Sequence, residues 1–431
     1  MNITNLKELE KQEFIRQDNT LNFIASENYC SEDVLNANSS IFINKYAEGF
    51  CRNNKRYYQG CSVVDMVEQQ AEEECLKMLN AEENYNVNVQ FSSGCQANIT
   101  VYHALLKSGD TVLAPDTASL GHISHGIKGS FLDIYFTVQK YGLNENNVLD
   151  YDEIERIALI CKPKLIICGA SNYNKQIDFK RFREIADKVD AILMGDVSHI
   201  LGLIVTGNHP SPVNYCHIIT STLHKTLRGT RGAIVVYNKE FDKQIKYSII
   251  PGLWGGSHVN NTLAKLYSFK EAQTDIFCDY IKQSLLNTKT MCEVFIKNDI
   301  PVVGGETENH LFCLDLTNYT NGKDIAVLLE DCGIVVNANA IPNDTSFIKP
   351  HGVRIGCAPV TSRGLKEDEC KHIAQHISDI IMLYKDNKIP DDKTLEKHKN
   401  ILRCHVEYLC NKYPFKFIYP NMYNRLFQSE V

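Results

Sequence analysis

Two periods of apolar residues alternate along this 431-residue chain, and together they predict its elements. Short aliphatic runs recur at Val87–Phe91, Leu165–Cys168, Ala191–Gly195 and Ile218–Thr220, each bounded by polar or small residues, the pattern of buried strands. Between them the spacing lengthens to three and four. Phe179, Phe182, Ile185 and Val189 share one face behind Asp178, a residue type that caps helix N-termini. A further helix is predicted after Ser93-Gly94-Cys95, where ANITVYHALL is apolar at helical spacing. Strand–helix–strand succession up to Asp196 and on to Lys225 predicts a mostly parallel sheet covered by helices, the α/β class.

Residues 262–298 read as one long helical stretch leading to a smaller α+β domain, built from GGETENHLFCLDL and IVVNANAIPND. The expected organisation is an N-terminal arm over 1–30, a large domain over 31–270 and a small C-terminal domain over 271–431. In the arm, residues 4–18 read as a helix with Leu6, Leu9 and Phe14 on one stripe. So short a helix with an apolar stripe needs a surface to dock on. Lys385–Lys393 reads as a polar linker before a final helix and a Tyr/Pro-rich tail.

Chemistry gathers at two strand ends. In HIITSTLHKTLRGTRG (His217–Gly232) a β-branched run closes on Ser221 and Thr222 and delivers Lys225, flanked by His224 and Thr226, into a glycine-bounded loop. A lysine at the end of an apolar strand is shielded from water. Desolvation lowers its pKa and leaves the neutral amine, the nucleophile that Schiff-base formation requires. The run AILMGDVSH ends in Asp196 and His199, the aspartate 29 positions before the lysine. A buried carboxylate pairs with the pyridine nitrogen of pyridoxal phosphate (PLP) and keeps it protonated, so that the ring accepts electrons. Ligands of open α/β sheets sit at strand carboxyl ends, where Ser171, Asp196 and Lys225 all fall. Ser93-Gly94-Cys95 at a helix N-terminus offers N–H groups to a phosphate.

HKTLRGTRG and RFREIADKVDAILMGDVSHILGL resemble the lysine and aspartate segments of serine hydroxymethyltransferases, and matching motifs run over roughly residues 5–385. The resemblance implies a fold-type I PLP-dependent transferase with a smaller C-terminal α+β domain. It implies reversible conversion of serine and tetrahydrofolate to glycine and methylenetetrahydrofolate. IASEN then places Ser26 on the substrate carboxylate, with Arg354 of GVRIG gripping it. NKYAEGF and KRYYQG supply Tyr46, Glu48, Tyr57 and Tyr58; the glutamate handles a proton at the substrate hydroxyl and folate, and one tyrosine crosses to a partner's site. Ser93, Gly94, Cys95 and Ser171 would hold the cofactor, with Gly255 and Gly256 reaching the partner's phosphate. Asp196 and His199 would serve its ring and His122 would stack on its face. His224 and Tyr58 would join Lys225 and Glu48 in catalysis. Gly121, Ile123 and Asn339 would face substrate and folate. A homodimer or dimer of dimers with shared sites follows.

Six positions depart from the family pattern. Gln59, Cys95, Leu120, Leu223, Trp254 and Ala338 stand where glycine, serine, glycine, threonine, glutamine and lysine are usual, and CRNN at 51–54 lengthens its loop. Gln59 is expected to strain the loop if a positive φ is required there. The departures also leave open a PLP-binding paralogue of low turnover that acts as a partner or stabilising subunit, or a folate-independent aldolase of β-hydroxy amino acids.

Composition narrows the picture further. A net charge of −7 supplies no basic field for nucleic acid or anionic membrane. No apolar run approaches the roughly 18 residues that span a bilayer. Sixteen cysteines without a C-x-x-C pair read as reduced core thiols, hence a cytoplasmic or mitochondrial setting rather than a secreted one. No metal site is expected. His372 and His376 lie four apart in HIAQH but lack the glutamate of a zincin helix, and with Ile373, Ile377 and Ile380 inward they are expected to face solvent. Gly322-Lys323 lacks the earlier glycine of a phosphate-binding loop.

Overall fold

Seven strands make the sheet around which residues 33–171 and 176–281 fold as one unit. They are β1 (Tyr85–Asn88), β2 (Thr111–Pro115), β3 (Thr137–Tyr141), β4 (Leu165–Cys168), β5 (Ile192–Asp196), β6 (Ile218–Thr222) and β7 (Ala233–Asn238). The order is β3-β2-β4-β5-β6-β7-β1; neighbours from β3 to β6 pair in parallel, while β7 runs antiparallel to both β6 and β1. The computed structural model describes residues 3–428 except 52–54, 119, 343 and 345–347; three of the four CRNN positions therefore lie outside the described residues. Every residue of β4 and β6 is buried, which is why their sequences are continuous runs rather than alternating ones.

Helix α1 (Gly94–Leu105) follows β1, and α2 (Phe179–Lys188) lies between β4 and β5. Asp178 caps α2 by accepting the Arg181 N–H at 2.9 Å, and Phe179, Phe182 and Ile185 are buried as their spacing predicts. The strand expected at Val87–Phe91 instead spans Tyr85–Asn88. Lys265 is the reason. Its ammonium donates to the carbonyls of Val89 and Phe91 at 2.6 Å each and of Ala233 at 3.3 Å, so the backbone beyond Asn88 serves a side chain. The single helix expected over 262–298 is two, α3 (Val259–Glu271) and α4 (Asp275–Lys297). Thr274 accepts the Phe277 N–H through its hydroxyl and starts a new helix at the break.

A second unit comprises residues 1–32, 172–175 and 282–431, so the division falls inside α4. Its sheet is β8 (Leu311–Asp315), β9 (Asn337–Asn339) and β10 (Gly352–Gly356), antiparallel in the order β8-β10-β9. Helices α5 (Glu367–Met382) and α6 (Asp392–Lys412) close its core, with Ile373, Ile377 and Ile380 buried. The expectation that His372 and His376 both face solvent is half right. His372 is exposed, but His376 is half-buried and its ring meets that of His405 on α6. The N-terminal helix, Ile3–Asp18, docks through Phe14, which packs edge-on against Phe415 and Phe427. Leu6 and Leu9 of the same stripe stay exposed. No helix among the described residues is long and apolar enough to cross a membrane.

Candidate active site

Asp196 ends β5 in a cage of donors. Asn98 of α1 donates to Oδ2 at 3.0 Å, His125 Nε2 stands 3.1 Å from the same oxygen, and the Ser198 hydroxyl and N–H donate to Oδ1 at 2.6 and 3.1 Å. Thr220 donates to Asn98 Oδ1 at 2.8 Å, which fixes the amide with its NH2 toward the carboxylate. A carboxylate only accepts, so Nε2 of the wholly buried His125 carries the proton and Nδ1 accepts from the Tyr102 hydroxyl at 2.8 Å. Burial alone raises the Asp196 pKa. The bonds from His125 and Ser198 outweigh it and hold the carboxyl well below the usual range. His122 joins through Ser124: its Nδ1 lies 2.8 Å from the Ser124 hydroxyl, which accepts from Asn98 at 3.1 Å.

The same serine ties this cage to the lysine strand. Ser198 Oγ accepts the Thr222 N–H at 3.0 Å, three residues before Lys225. Lys225 is buried, as its place at a strand end predicts, and so are His224 Nδ1 and Thr222 Oγ1, two polar atoms without a hydrogen-bond partner among the described residues. Burial, then the charges of Lys225 and Arg231, push the His224 imidazole down to about 3. His199 is buried and its carbonyl accepts from the Thr226 hydroxyl at 2.8 Å, so the turn after Asp196 and the loop after Lys225 share a bond. Ser93 caps α1 by accepting the Gln96 N–H at 3.2 Å. A Cβ on Gly94 would lie 2.7 Å from Thr222 Cγ2, so only glycine lets this helix start approach the lysine strand. Cys95 is exposed beside it. Ser171, after β4, donates its N–H to the Leu120 carbonyl at 2.9 Å; Gly121 follows, and Ile123 is exposed.

A loop of the same unit carries Tyr46 and Glu48. Arg56 organises it: the buried guanidinium donates to the carbonyls of Ala47 and Gly49 at 3.0 and 2.8 Å and pairs with Glu68 at 2.9 Å and Asp65 at 2.8 Å. Tyr46 and Tyr58 meet edge to face with ring centres 4.8 Å apart, and Tyr57 is exposed. A Cβ on Gly256 would stand 3.0 Å from the Tyr46 ring, while one on Gly255 would reach Tyr46 Oη at 3.4 Å and Glu48 Oε1 at 3.8 Å. The glycine pair therefore seats this chain's own tyrosine. The strain expected at Gln59 is absent, because Gly60 takes the left-handed conformation at φ +69°.

In the second unit Arg354 sits in the middle of β10, buried, its Nε donating to Asn337 Oδ1 at 3.2 Å. Burial lowers its pKa to about 10, with the Cys313 thiol opposing that. The segment holding Ser26 runs alongside: Gly356 donates its N–H to the Phe23 carbonyl at 2.9 Å. Asn339 in β9 bonds the Ala340 carbonyl at 2.7 Å. The structure thus gathers Lys225, Asp196, His199, His122, His224, Ser93 and Gly94 on one sheet edge, and Ser26 with Arg354 on another.

Sequence reasoning missed His125, Asn98, Ser198 and Arg56. Only one signal stood in the chain for the first, a second histidine three places after His122 in the same loop.

The donor set fits PLP on the structure's own terms. An aspartate held ionised suits a protonated pyridine nitrogen, a buried amine stands at the adjoining strand end, and orphaned hydroxyl and imidazole atoms flank it. Fold and site define the class, a PLP-dependent enzyme of fold type I. A family model described as serine hydroxymethyltransferase matches residues 2–377. A probable serine hydroxymethyltransferase of Mesomycoplasma hyopneumoniae (strain 232) is 46% identical over 401 residues, covering 92% of this chain and 94% of its own length. The serine hydroxymethyltransferase of Coprothermobacter proteolyticus is 45% identical over 412 residues, 94% of this chain and 95% of its own. That of Metamycoplasma arthritidis is 42% identical over 415 residues, covering 95% and 96%. The chain belongs to the serine hydroxymethyltransferase family.

Proposed function

We propose that this enzyme interconverts serine and glycine, passing one carbon to or from tetrahydrofolate, with PLP held at Lys225. The observation that carries the reading is a buried Lys225 on the strand-end loop whose Thr222 N–H, three residues earlier, is bridged by the Ser198 hydroxyl to an aspartate kept as an anion. Bound there, PLP supplies an electron sink for the pair left at the substrate Cα. The remaining work belongs to the chain. Asp196 keeps a negative charge opposite the pyridine nitrogen, and His122 offers a ring face. N–H groups from Ser93 to Cys95, with Ser171 and His199, would hold the phosphate and ring substituents, and Gly255 and Gly256 would reach the phosphate bound by a partner copy. Arg354 would grip the substrate carboxylate with a planar two-donor fork, assisted by Ser26, and so would fix the orientation of the substrate for cleavage. Glu48 takes or gives the proton at the substrate hydroxyl, with Tyr46, Tyr57, Tyr58 and the neutral His224 as hydrogen-bonding neighbours. Gly121, Ile123 and Asn339 line the folate side.

The working form is at least a dimer. Ile41, Ile43, Tyr57 and Val63 of one unit are exposed apolar side chains that a partner copy would cover. Buried thiols such as Cys75, Cys168, Cys313 and Cys370 suit the cytoplasm. The test is reconstitution with PLP followed by borohydride reduction. The pyridoxyl group is expected on Lys225, and glycine with tetrahydrofolate is expected to raise a long-wavelength visible band. A colourless product, or label on another lysine, rejects the reading.

A further inference from the structure

Helices α5 and α6 bring the rings of His372, His376 and His405 together, and the proposed reaction uses none of them. His372 and His376 lie one turn apart on α5, and His398 and His405 two turns apart on α6. The ring centres of His376 and His405 are 5.2 Å apart at an interplanar angle of 90°, and those of His372 and His405 are 6.0 Å apart. Two imidazoles on one tetrahedral ion, with metal–nitrogen distances of about 2.0–2.1 Å, have ring centres roughly 5 Å apart. The His376–His405 separation matches that figure, while the nitrogens of the three rings are not gathered within 4.8 Å of one another in the present rotamers. Histidines one turn apart on a helix face are also how metalloprotease helices hold zinc, and the glutamate absent from HIAQH is needed there for catalysis rather than ligation.

Two further observations concern the lone pairs. His405 Nδ1 is buried with no hydrogen-bond partner among the described residues. His376, half-buried, faces it from α5. The nearby acids are engaged elsewhere: Asp379 accepts from Gln375 at 2.8 Å, and Glu369 from Lys412 at 2.7 Å and Tyr413 at 2.8 Å.

We propose that His372, His376 and His405 form a binding site for a divalent transition-metal cation of the zinc and nickel class, which clips α5 to α6. The rings now meet edge to face, so capture takes rotation about their side-chain bonds, and His398 or water completes the shell. Imidazole ligands without a carboxylate select against magnesium and calcium. The ion ties α6 to the unit's core and takes no part in catalysis. A rival locus is Cys51, Glu68 and Glu72, whose ligand atoms lie within 4.8 Å of one another, but Glu68 is already paired with Arg56 at 2.9 Å.

The experiment is calorimetric titration of the chelator-stripped, PLP-loaded protein with nickel, repeated as a thermal melt with and without the ion. One ion per chain and a raised Tm are expected. His405→Ala and the exposed His372→Ala should each weaken binding at least about tenfold and remove the Tm rise. Cys51→Ser should bind as the parent does. Absence of saturable binding, binding that survives both histidine variants, or binding lost in Cys51→Ser overturns the assignment.

Discussion

Asp196 stays ionised because four donors surround it, not because a fixed cation lies against it. That predicts an unequal outcome for two neighbouring variants. His125→Asn removes a direct donor and should weaken PLP retention about tenfold to a hundredfold, the worth of one hydrogen bond to a charge. Tyr102→Phe leaves His125 in place and only frees its Nδ1, so the loss should be smaller; equilibrium dialysis against PLP measures both. His224 supplies a pH test. Its folded pKa of about 3 lies below the usual 6.5, so the unfolded chain binds the extra proton between these values and stability falls as pH drops below 6.5. The slope attributable to this residue is about 1.4 kcal/mol per pH unit, ending near pH 3. His224→Asn should flatten urea-unfolding curves measured from pH 7 to 4 by that amount. An unchanged slope would mean the ring is hydrated. At this scale Lys225 and Asp196 were legible, since each closes an apolar run with an ionisable side chain. His125 was not: LGHISHG offers two histidines of one type, and only the fold decides which enters the core.

Elements explain why the six departures from the family pattern need not accumulate at the chemistry. Leu120 and Leu223 are almost wholly buried, and Trp254 packs against the apolar cluster between α1 and the sheet, so all three side chains go to packing. Gln59 avoids the left-handed region, and Ala338 lies in β9 opposite Val353. Cys95 alone lies beside the Ser93–Gly94 turn. Strand identity was readable from continuous apolar runs, whereas the end of β1 was not, because a lysine 176 positions later draws Val89 out of the ladder. Lys265→Met should therefore act on that turn. It takes a donor from three buried carbonyls, of which Phe91 keeps the Ala233 N–H at 3.0 Å, at about 1–3 kcal/mol for each carbonyl left unsatisfied if none finds water. A loss of roughly 3 kcal/mol in unfolding free energy is expected, with faster amide exchange at residues 89–94 than at β4. Equal protection at both places would assign Lys265 a packing role only.

On the scale of the whole chain, residues 1–32 and 282–431 must find each other across the sequence that folds between them. One side chain makes much of that connection. Arg363, its guanidinium 1% exposed, donates to the Thr20 carbonyl at 2.7 Å, 343 positions away, and to the Tyr413 carbonyl at 2.7 Å. It also reaches the carbonyls of Gln17 at 3.2 Å and Cys410 at 3.3 Å, together with the Asp18 backbone. No hydropathy pattern marks such a residue, since a buried arginine in TSRG reads like any surface one. A planar five-donor fork satisfies these carbonyls together, and an ammonium has three protons and one centre. Arg363→Met should accordingly cost about 3–5 kcal/mol, as loss of a buried charged partner does. Arg363→Lys should recover only part of it. Contacts of such long sequence separation form late, so the variant should speed unfolding of this unit and leave its refolding rate nearly unchanged. Urea unfolding followed by circular dichroism gives the first number, and stopped-flow unfolding with pulsed exchange separates the units. If Arg363→Met unfolds at the parent's midpoint, the aromatic packing of Phe14 on Phe415 and Phe427 holds the chain ends together by itself.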